Sequence, residues 1–342
     1  MEEVQETSGY WFREEVTPDF AVSMRLENME PAVKSDFQTV QIINTKQFGR
    51  TLVLDHKTQS AEKDEHIYHE TLVHAAMLAH PNPKTVYIGG GGEMATAREI
   101  LKHSSVEKVV MVDIDRVVCD FALTHLKQWS EGVGEDPRFE LHCEDANAFI
   151  RQDPRTWDVI IMDIADPIEA GPGIALYTRD FYKFAATRLS AGGVLVTQSG
   201  PGSQFNVGNE CCSTIHRTLR SVFDHVHCFS ADIPSFGSNW GFNLAHGCTA
   251  IAADPDSDDV ATAAGAAPVA DAVAADCKDM LTQLSIDERN ALIEARITGG
   301  AASLKFYDGI THLGLFGLPL EVRAALWTEE RIMSMENPVF MH

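Results

Sequence analysis

Five acidic residues close apolar runs in the middle of this chain: Glu93, Asp113, Asp145, Asp163 and Asp166. The runs are Val86-Tyr87-Ile88, Val109 to Val112, Phe139 to Cys143 and Val159 to Met162, each reading as a buried strand. In an open α/β sheet ligands bind outside the carboxyl ends of the strands, so these acids should converge on one cleft. Any one alone could be a helix cap or a solvated turn residue. Acids at four neighbouring strand ends are harder to attribute to structure. Their shared chemistry is to accept hydrogen bonds, hold cations and take up protons.

Lys84 to Glu99, KTVYIGGGGEMATARE, is the stretch the rest of the chain is organised around. A strand, four glycines (Gly89 to Gly92) and a run of good helix formers make a nucleotide-binding corner. The pattern is not GxGxxG, because Met94 and Ala95 hold the later positions, and no Gly-Lys-Ser/Thr follows as in a P-loop. A helix start and free loop amides favour an anion, whereas the carboxylate of Glu93 works against phosphate and suits a cation. The corner therefore reads as a site for an adenosyl ligand with a positive tail. The rival reading is an ordinary glycine-rich turn with a solvated glutamate. Asp113 lies about twenty residues on, where an acid commonly accepts the ribose hydroxyls, its rival role being to cap the next helix. Asp145 is placed to accept from an adenine amino group. Asp163 and Asp166 face the reacting region, although Asp166-Pro167 could merely be a turn.

Repeated strand-helix units position these residues. Helices are expected over His66 to Ala79, Val117 to Trp129, Asp180 to Leu189 and Asn209 to Phe223. Strands are expected at Val194 to Thr197, His225 to Phe229 and Trp240 to Ala245. The alternation predicts an α/β fold: a doubly wound, mostly parallel, Rossmann-like sheet. Ahead of it, Gln38-Val40-Ile42 and Leu52-Leu54 have period two, with a hairpin turn at Phe48-Gly49-Arg50. Residues 10–65 should thus form a small antiparallel β domain that covers the active site or joins subunits, anchored by Tyr10-Trp11-Phe12. Residues 66–342 form the catalytic domain. Residues 1–9 should be a disordered tail. Segment 254–276, rich in Ala, Asp, Gly and Pro, should be a flexible insertion. Leu281 to Arg296 and Leu320 to Leu326 should be helical.

Composition narrows the partners. Fifty acidic residues against 27 Lys plus Arg give a net charge of −23, which disfavours nucleic acid and anionic membranes and favours a cationic ligand. No run of 18 apolar residues and no secretory h-region are present. Seven scattered cysteines without a CxxC pair fit a reducing cytoplasm. The stretch DEHIYHE, Asp64 to Glu70, matches neither HExxH nor HxxEH, so no metal is expected there.

GGGGEMATARE, VDID, CEDA, MDIADP and VTQSGP, in this order, resemble the polyamine synthases, which transfer an aminopropyl group. QFGRTLVLDHKTQSAEKDEHIYHE resembles that family's N-terminal β unit and the start of its catalytic domain, and LKFYDGITHLGLFGLP its C-terminal signature. Within the family, YHE at 68–70, Glu93 and ADPIEAGPGIALYT at 165–178 look closest to the thermospermine synthase branch. Met94 departs from the usual glycine after the acid. Phe236 stands where spermidine synthases commonly carry a tyrosine.

The resemblance implies a seven-stranded sheet of the S-adenosylmethionine-dependent methyltransferase type and a homodimer or homotetramer. Decarboxylated S-adenosylmethionine would be co-substrate, with no separate cofactor and no metal. Gln38, His69, Gly90, Gly91, Glu93, Asp113, Asp145 and Ala146 would hold this donor. Asp166, Gln198, Phe236 and Trp240 would hold a polyamine acceptor. Asp163 would take the acceptor's proton with Tyr68 helping to position it. Spermidine would be the acceptor and thermospermine the product, with putrescine as acceptor, spermine as product and a non-catalytic polyamine binder as alternatives. Glu93 would also repel the carboxylate of ordinary S-adenosylmethionine.

Overall fold

The computed structural model describes residues 9–17, 19–169, 171, 173–202, 209–248 and 281–341. The segment 254–276 and nearly all of the expected N-terminal tail lie outside these residues.

Six antiparallel strands come first: β1 (Trp11–Thr17), β2 (Phe20–Met29), β3 (Val33–Lys34), β4 (Thr39–Thr45), β5 (Gly49–Leu54) and β6 (Lys57–Ala61). They pair in the order β1-β2-β4-β5-β6, with β3 on β4. The aromatic anchor at Tyr10-Trp11-Phe12 is in fact the start of the β1–β2 hairpin. Its alternate charged positions, Arg13 and Glu15, hid the strand. The turn into β5 falls at 46–48, slightly earlier than expected, and Gly49 opens the strand at φ +76°. Asp55 and His56 join β5 to β6 with φ of 47° and 66°, the two left-handed residues of a tight hairpin.

Helix α1 (Glu65–Ala79) leads into the second unit. Then follow β7 (Thr85–Gly90), α2 (Ala95–Leu101), β8 (Lys108–Asp113), α3 (Arg116–His125), β9 (Phe139–Cys143), α4 (Ala146–Gln152) and β10 (Trp157–Asp163). After them come α5 (Arg179–Thr187), β11 (Leu189–Pro201), α6 (Asn209–Arg220), β12 (His225–Ile233) and β13 (Ser238–His246). The seven strands lie in the order β12-β13-β11-β10-β7-β8-β9, parallel from β11 to β9 and antiparallel at β13. The chain winds outward from β7 through β8 to β9, then returns to lay β10 on the other side of β7. That reversal makes a crevice at the ends of β7 and β10, where Asp163 is the register partner of Gly90.

Alternate residues of the strands feed two cores. Val86, Ile88, Val109, Met111, Val159 and Ile161 face α1, α2 and the C-terminal helix α7 (Ile286–Arg296). Tyr87, Val110, Val112, Ile160 and Met162 face α4, α5 and α6. Two further helices, α8 (Gly309–Leu315) and α9 (Leu320–Thr328), follow. Helix α1 is buried nearly all round, which explains why its sequence shows no clean polar face. Several helices are shorter than their sequence suggests. α3 stops at His125, and Trp129 beyond it is packed as a loop residue; Leu189 already belongs to β11.

A third core is the seam between the two units. Val40, Ile42 and Leu52 of the first sheet pack on Ala95, Val118, Ala122, Leu126 and Trp129. Burying each large aliphatic chain contributes ~1.5–3 kcal/mol, enough to hold the β unit over the carboxyl ends of the strands.

Candidate active site

The seam and the crevice enclose one cavity of about 380 Å³. Its floor is the glycine turn. Gly90 and Gly91 have φ of +85° and +78°, and a Cβ at Gly90 would sit 2.1 Å from the backbone oxygen of Asp163. Only glycine lets β7 and β10 approach this closely. Gly91 N–H donates to that same Asp163 oxygen at 2.8 Å. Met94 then adopts the left-handed conformation, φ 71°, to cap α2. Glu93 therefore lies in the turn before the helix, not in its first turn.

Asp163 is held from two sides. Tyr68 Oη of α1 donates to Oδ1 at 2.7 Å, and Thr96 Oγ1 of α2 donates to Oδ2 at 2.5 Å. Burial, and then the charge of Asp163, keep the Tyr68 phenol well above its ordinary range, so it remains a donor. Thr96 was not anticipated, since a lone Thr in a helical run gives no sequence signal.

Glu93 is not a free carboxylate. Ser60 Oγ of β6 donates to Oε2 at 2.6 Å and itself accepts from Trp129 Nε1 at 3.1 Å. His69 Nε2 lies 2.7 Å from Oε1, an ion-pair distance. His69 Nδ1 donates to the backbone oxygen of Glu65 at 2.7 Å and to its Oε2 at 2.9 Å. Arg98 closes the chain on Glu65 at 2.8 Å. Burial alone would push His69 down, but hydrogen bonds and charge from Glu65 and Glu93 outweigh it and lift it to about 10. Burial would likewise raise Glu65, yet His69 and Arg98 bring it to about 2. His69 itself is fully buried behind Glu93 and is not among the residues that line the cavity, so it would reach a ligand there only through Glu93.

At the end of β8, Asp113 Oδ2 accepts from Gly92 N at 2.9 Å and Oδ1 from Asp115 N at 2.8 Å. The cap of α3 is Asp115, whose side chain accepts from Val117 N, so the role that rivalled a ligand contact for Asp113 is already taken. Burial pushes Asp113 up to about 6. Gln38 lines the cavity, and its Nε2 donates to Asp115 at 2.9 Å across the seam. Asp145 lines it too, but its Oδ1 also caps α4 through Asn147 N and Ala148 N. Ala146 stands beside it in the wall.

The other end is built by β10, β11 and β13. Burial pushes Asp166 up to about 7, against the hydrogen bond from Gln198. Gln198 reaches the wall, yet its amide is engaged throughout. Nε2 lies 2.6 Å from Tyr177 Oη, 2.7 Å from Ile164 O and 3.1 Å from Asp166 Oδ1. Its Oε1 accepts from Gly200 N at 2.9 Å and Trp240 Nε1 at 3.1 Å. Through these bonds it ties β11 to residues 164–166 while lining the cavity. Phe236, 4.8 Å from Trp240 and 6.0 Å from Tyr68 between ring centres, completes an aromatic side. Glu70, after Tyr68 and His69, accepts from Lys305, Phe306 and Tyr307 N–H groups at 2.8 Å each and ties the C-terminal signature to α1.

Of the candidate residues, all but His69 line the cavity. Asp55 and Glu169 add two more carboxylates, and no Lys, Arg or His lies in the described wall. Among the described residues no group of three or more His, Cys, Asp or Glu is arranged to hold a metal ion, and no helix is long and apolar enough to cross a membrane.

The fold is the Rossmann-like one of the S-adenosylmethionine-dependent methyltransferases, here with an acidic ligand site under an antiparallel β unit. The spermine/spermidine synthase domain matches residues 65–251, and the spermidine synthase tetramerisation domain matches residues 10–62. The thermospermine synthase ACAULIS5 of Arabidopsis thaliana is 36% identical over 334 residues, 97% of this chain and 88% of the relative. A polyamine aminopropyltransferase of Aeropyrum pernix is 37% identical over 334 residues, 97% of this chain and 95% of the relative. The crystal structure of a spermidine synthase in complex with the transition-state analogue AdoDATO has a TM-score of 0.75 at 28% identity, covering 96% of this chain and 99% of that one. That of spermidine synthase from Thermotoga maritima gives 0.74 at 27% identity, covering 96% and 98%. The chain belongs to the spermine/spermidine synthase family, the polyamine aminopropyltransferases.

Proposed function

We propose that this chain transfers the aminopropyl group of decarboxylated S-adenosylmethionine to spermidine, giving thermospermine and methylthioadenosine. One observation carries the proposal. The cavity wall holds seven carboxylates and no basic side chain among the described residues, which suits two cationic substrates and repels anions. The donor keeps an ammonium and a sulfonium but has lost its carboxylate. Asp113 and Gln38 would meet the ribose, Asp145 and Ala146 the adenine, and Glu93, with His69 behind it, the donor's ammonium. A donor that retained its carboxylate would bring it against Glu93.

The step is an in-line displacement. The lone pair of an acceptor nitrogen attacks the aminopropyl carbon bound to sulfur. A carbon–nitrogen bond forms, the carbon–sulfur bond breaks, and its electron pair neutralises the sulfonium, releasing a thioether. The nitrogen's surplus proton passes to Asp163, held by Tyr68 and Thr96. The leaving group is already activated, so proximity and alignment supply much of the acceleration. Asp166 would hold an acceptor ammonium, while Phe236 and Trp240 cover its methylenes. The donor is consumed as a co-substrate, and neither cofactor nor metal enters the step. The match of residues 10–62 supports a homodimer or homotetramer, and the cysteine usage a cytoplasmic location.

Identity to the Arabidopsis enzyme and the 165–178 segment favour thermospermine. Incubation with decarboxylated S-adenosylmethionine and either putrescine or spermidine, with chromatography that resolves thermospermine from spermine, tests this. Thermospermine from spermidine, with little product from putrescine, is expected. Spermine would overturn the regiochemistry, preference for putrescine the acceptor, and no transfer to either the enzymatic reading itself.

A further inference from the structure

We infer that Thr96 is a positioning residue for the transfer: its hydroxyl fixes the Oδ2 side of Asp163, so that the base offers one set edge to the acceptor nitrogen. The inference rests on the transfer reaction proposed above.

A carboxylate has two oxygens and about four lone-pair directions. Free to rotate, it would spread a proton acceptor over an arc. Here each oxygen carries one hydroxyl donor, Tyr68 on Oδ1 at 2.7 Å and Thr96 on Oδ2 at 2.5 Å. The donors come from different helices, so together they fix the carboxylate plane as neither could alone. The backbone is fixed as well, since Asp163 O accepts from Gly91 N at 2.8 Å. Asp163 lines the cavity, and only the lone pairs that the two hydroxyls leave unused remain for a ligand there.

Thr96 is free for this role because of its place in the chain. A threonine inside a helix commonly returns its hydroxyl to the carbonyl three or four residues back. Thr96 is the second residue of α2, and the residue four back is Gly92, in the turn before the helix. Its hydroxyl crosses to the end of β10 instead. Thr96 is fully buried, so water has no route to replace it. It does not itself line the cavity, hence its action is through Asp163, which does.

The test compares Thr96→Val, which keeps shape and removes the hydroxyl, with Thr96→Ser, which keeps the hydroxyl. Steady-state kinetics use decarboxylated S-adenosylmethionine and spermidine, and methylthioadenosine binding by calorimetry reports on the folded donor site. The expected result is that Thr96→Val lowers kcat about ten- to a hundredfold, the worth of one hydrogen bond to a charged group. Both KM values and methylthioadenosine affinity should stay within about twofold, and Thr96→Ser within about threefold of the parent in kcat, because the donor is retained. If Thr96→Val is not recovered folded, Thr96→Ala makes the same comparison with Thr96→Ser. An unchanged kcat in the hydroxyl-free variant, a loss confined to donor affinity, or an equal fall in Thr96→Ser would overturn the role. A parent chain inactive with every polyamine would overturn the transfer reading and this role with it.

Discussion

Both ring nitrogens of His69 face carboxylates, and only the imidazolium supplies two N–H groups to meet them. Its folded-state value of about 10 stands against 6.5 in the ordinary state. A raised value means stabilisation that is whole below pH 6.5 and lost as pH climbs toward 10. Glu65 behaves oppositely: from 4.5 down to about 2, its contribution is whole above the ordinary value and fades in acid. We predict that His69→Gln costs roughly 1–3 kcal/mol at neutral pH, less than a bare broken buried pair because the amide still donates. Thermal unfolding between pH 6 and 10 should show the parent declining more steeply than the variant. Parallel curves would mean a neutral His69. The sequence showed the types and order of these residues but not who holds whom. Glu93 reads as an acid that suits a cation, yet the partners that aim it, Ser60 and His69, come from β6 and α1. Thr96 and Ser60 were invisible because a buried hydroxyl has no periodic signature.

At the scale of elements, the glycine turn sets two opposed effects against each other at Met94. A left-handed non-glycine residue costs about 1–2 kcal/mol of backbone strain. The side chain, however, is 1% exposed and packs in the larger core. Removing a buried Met chain typically costs ~2–5 kcal/mol, so packing wins. Met94→Gly, which relieves the left-handed strain but empties the side-chain site, should therefore destabilise the chain by roughly 1–3 kcal/mol in a denaturant titration. A higher midpoint would show that strain outweighs packing. The parallel strands were legible because apolar runs such as Val86-Tyr87-Ile88, closed by glycine or acid, leave few other readings. The β1–β2 hairpin was not, since charged residues fill its exposed positions. Helix ends were overrun where apolar residues continued past the last turn: Leu126 and Trp129 pack in the seam from a loop, and packing, not helicity, accounts for their hydrophobicity.

Across the whole molecule, the two units make one site. The β unit supplies Gln38, Asp55 and Ser60, the second unit supplies the other acids, and the seam core holds them together. A net charge of −23 spread over the surface would only raise solubility, but carboxylates gathered in a cavity of about 380 Å³ make a receptor for cations. Sequence order placed those acids at successive strand ends, and the reversal between β7 and β10 explains why they meet. What order could not convey is which acids are already occupied as caps and ion-pair partners. The most direct test of the central claim is the rate of methylthioadenosine release from decarboxylated S-adenosylmethionine with saturating spermidine, in the parent and in Asp163→Asn. The account predicts acceptor-dependent release by the parent and a fall of about a hundredfold or more in the variant, the usual worth of a positioned base. A variant that turns over near the parent rate would contradict it.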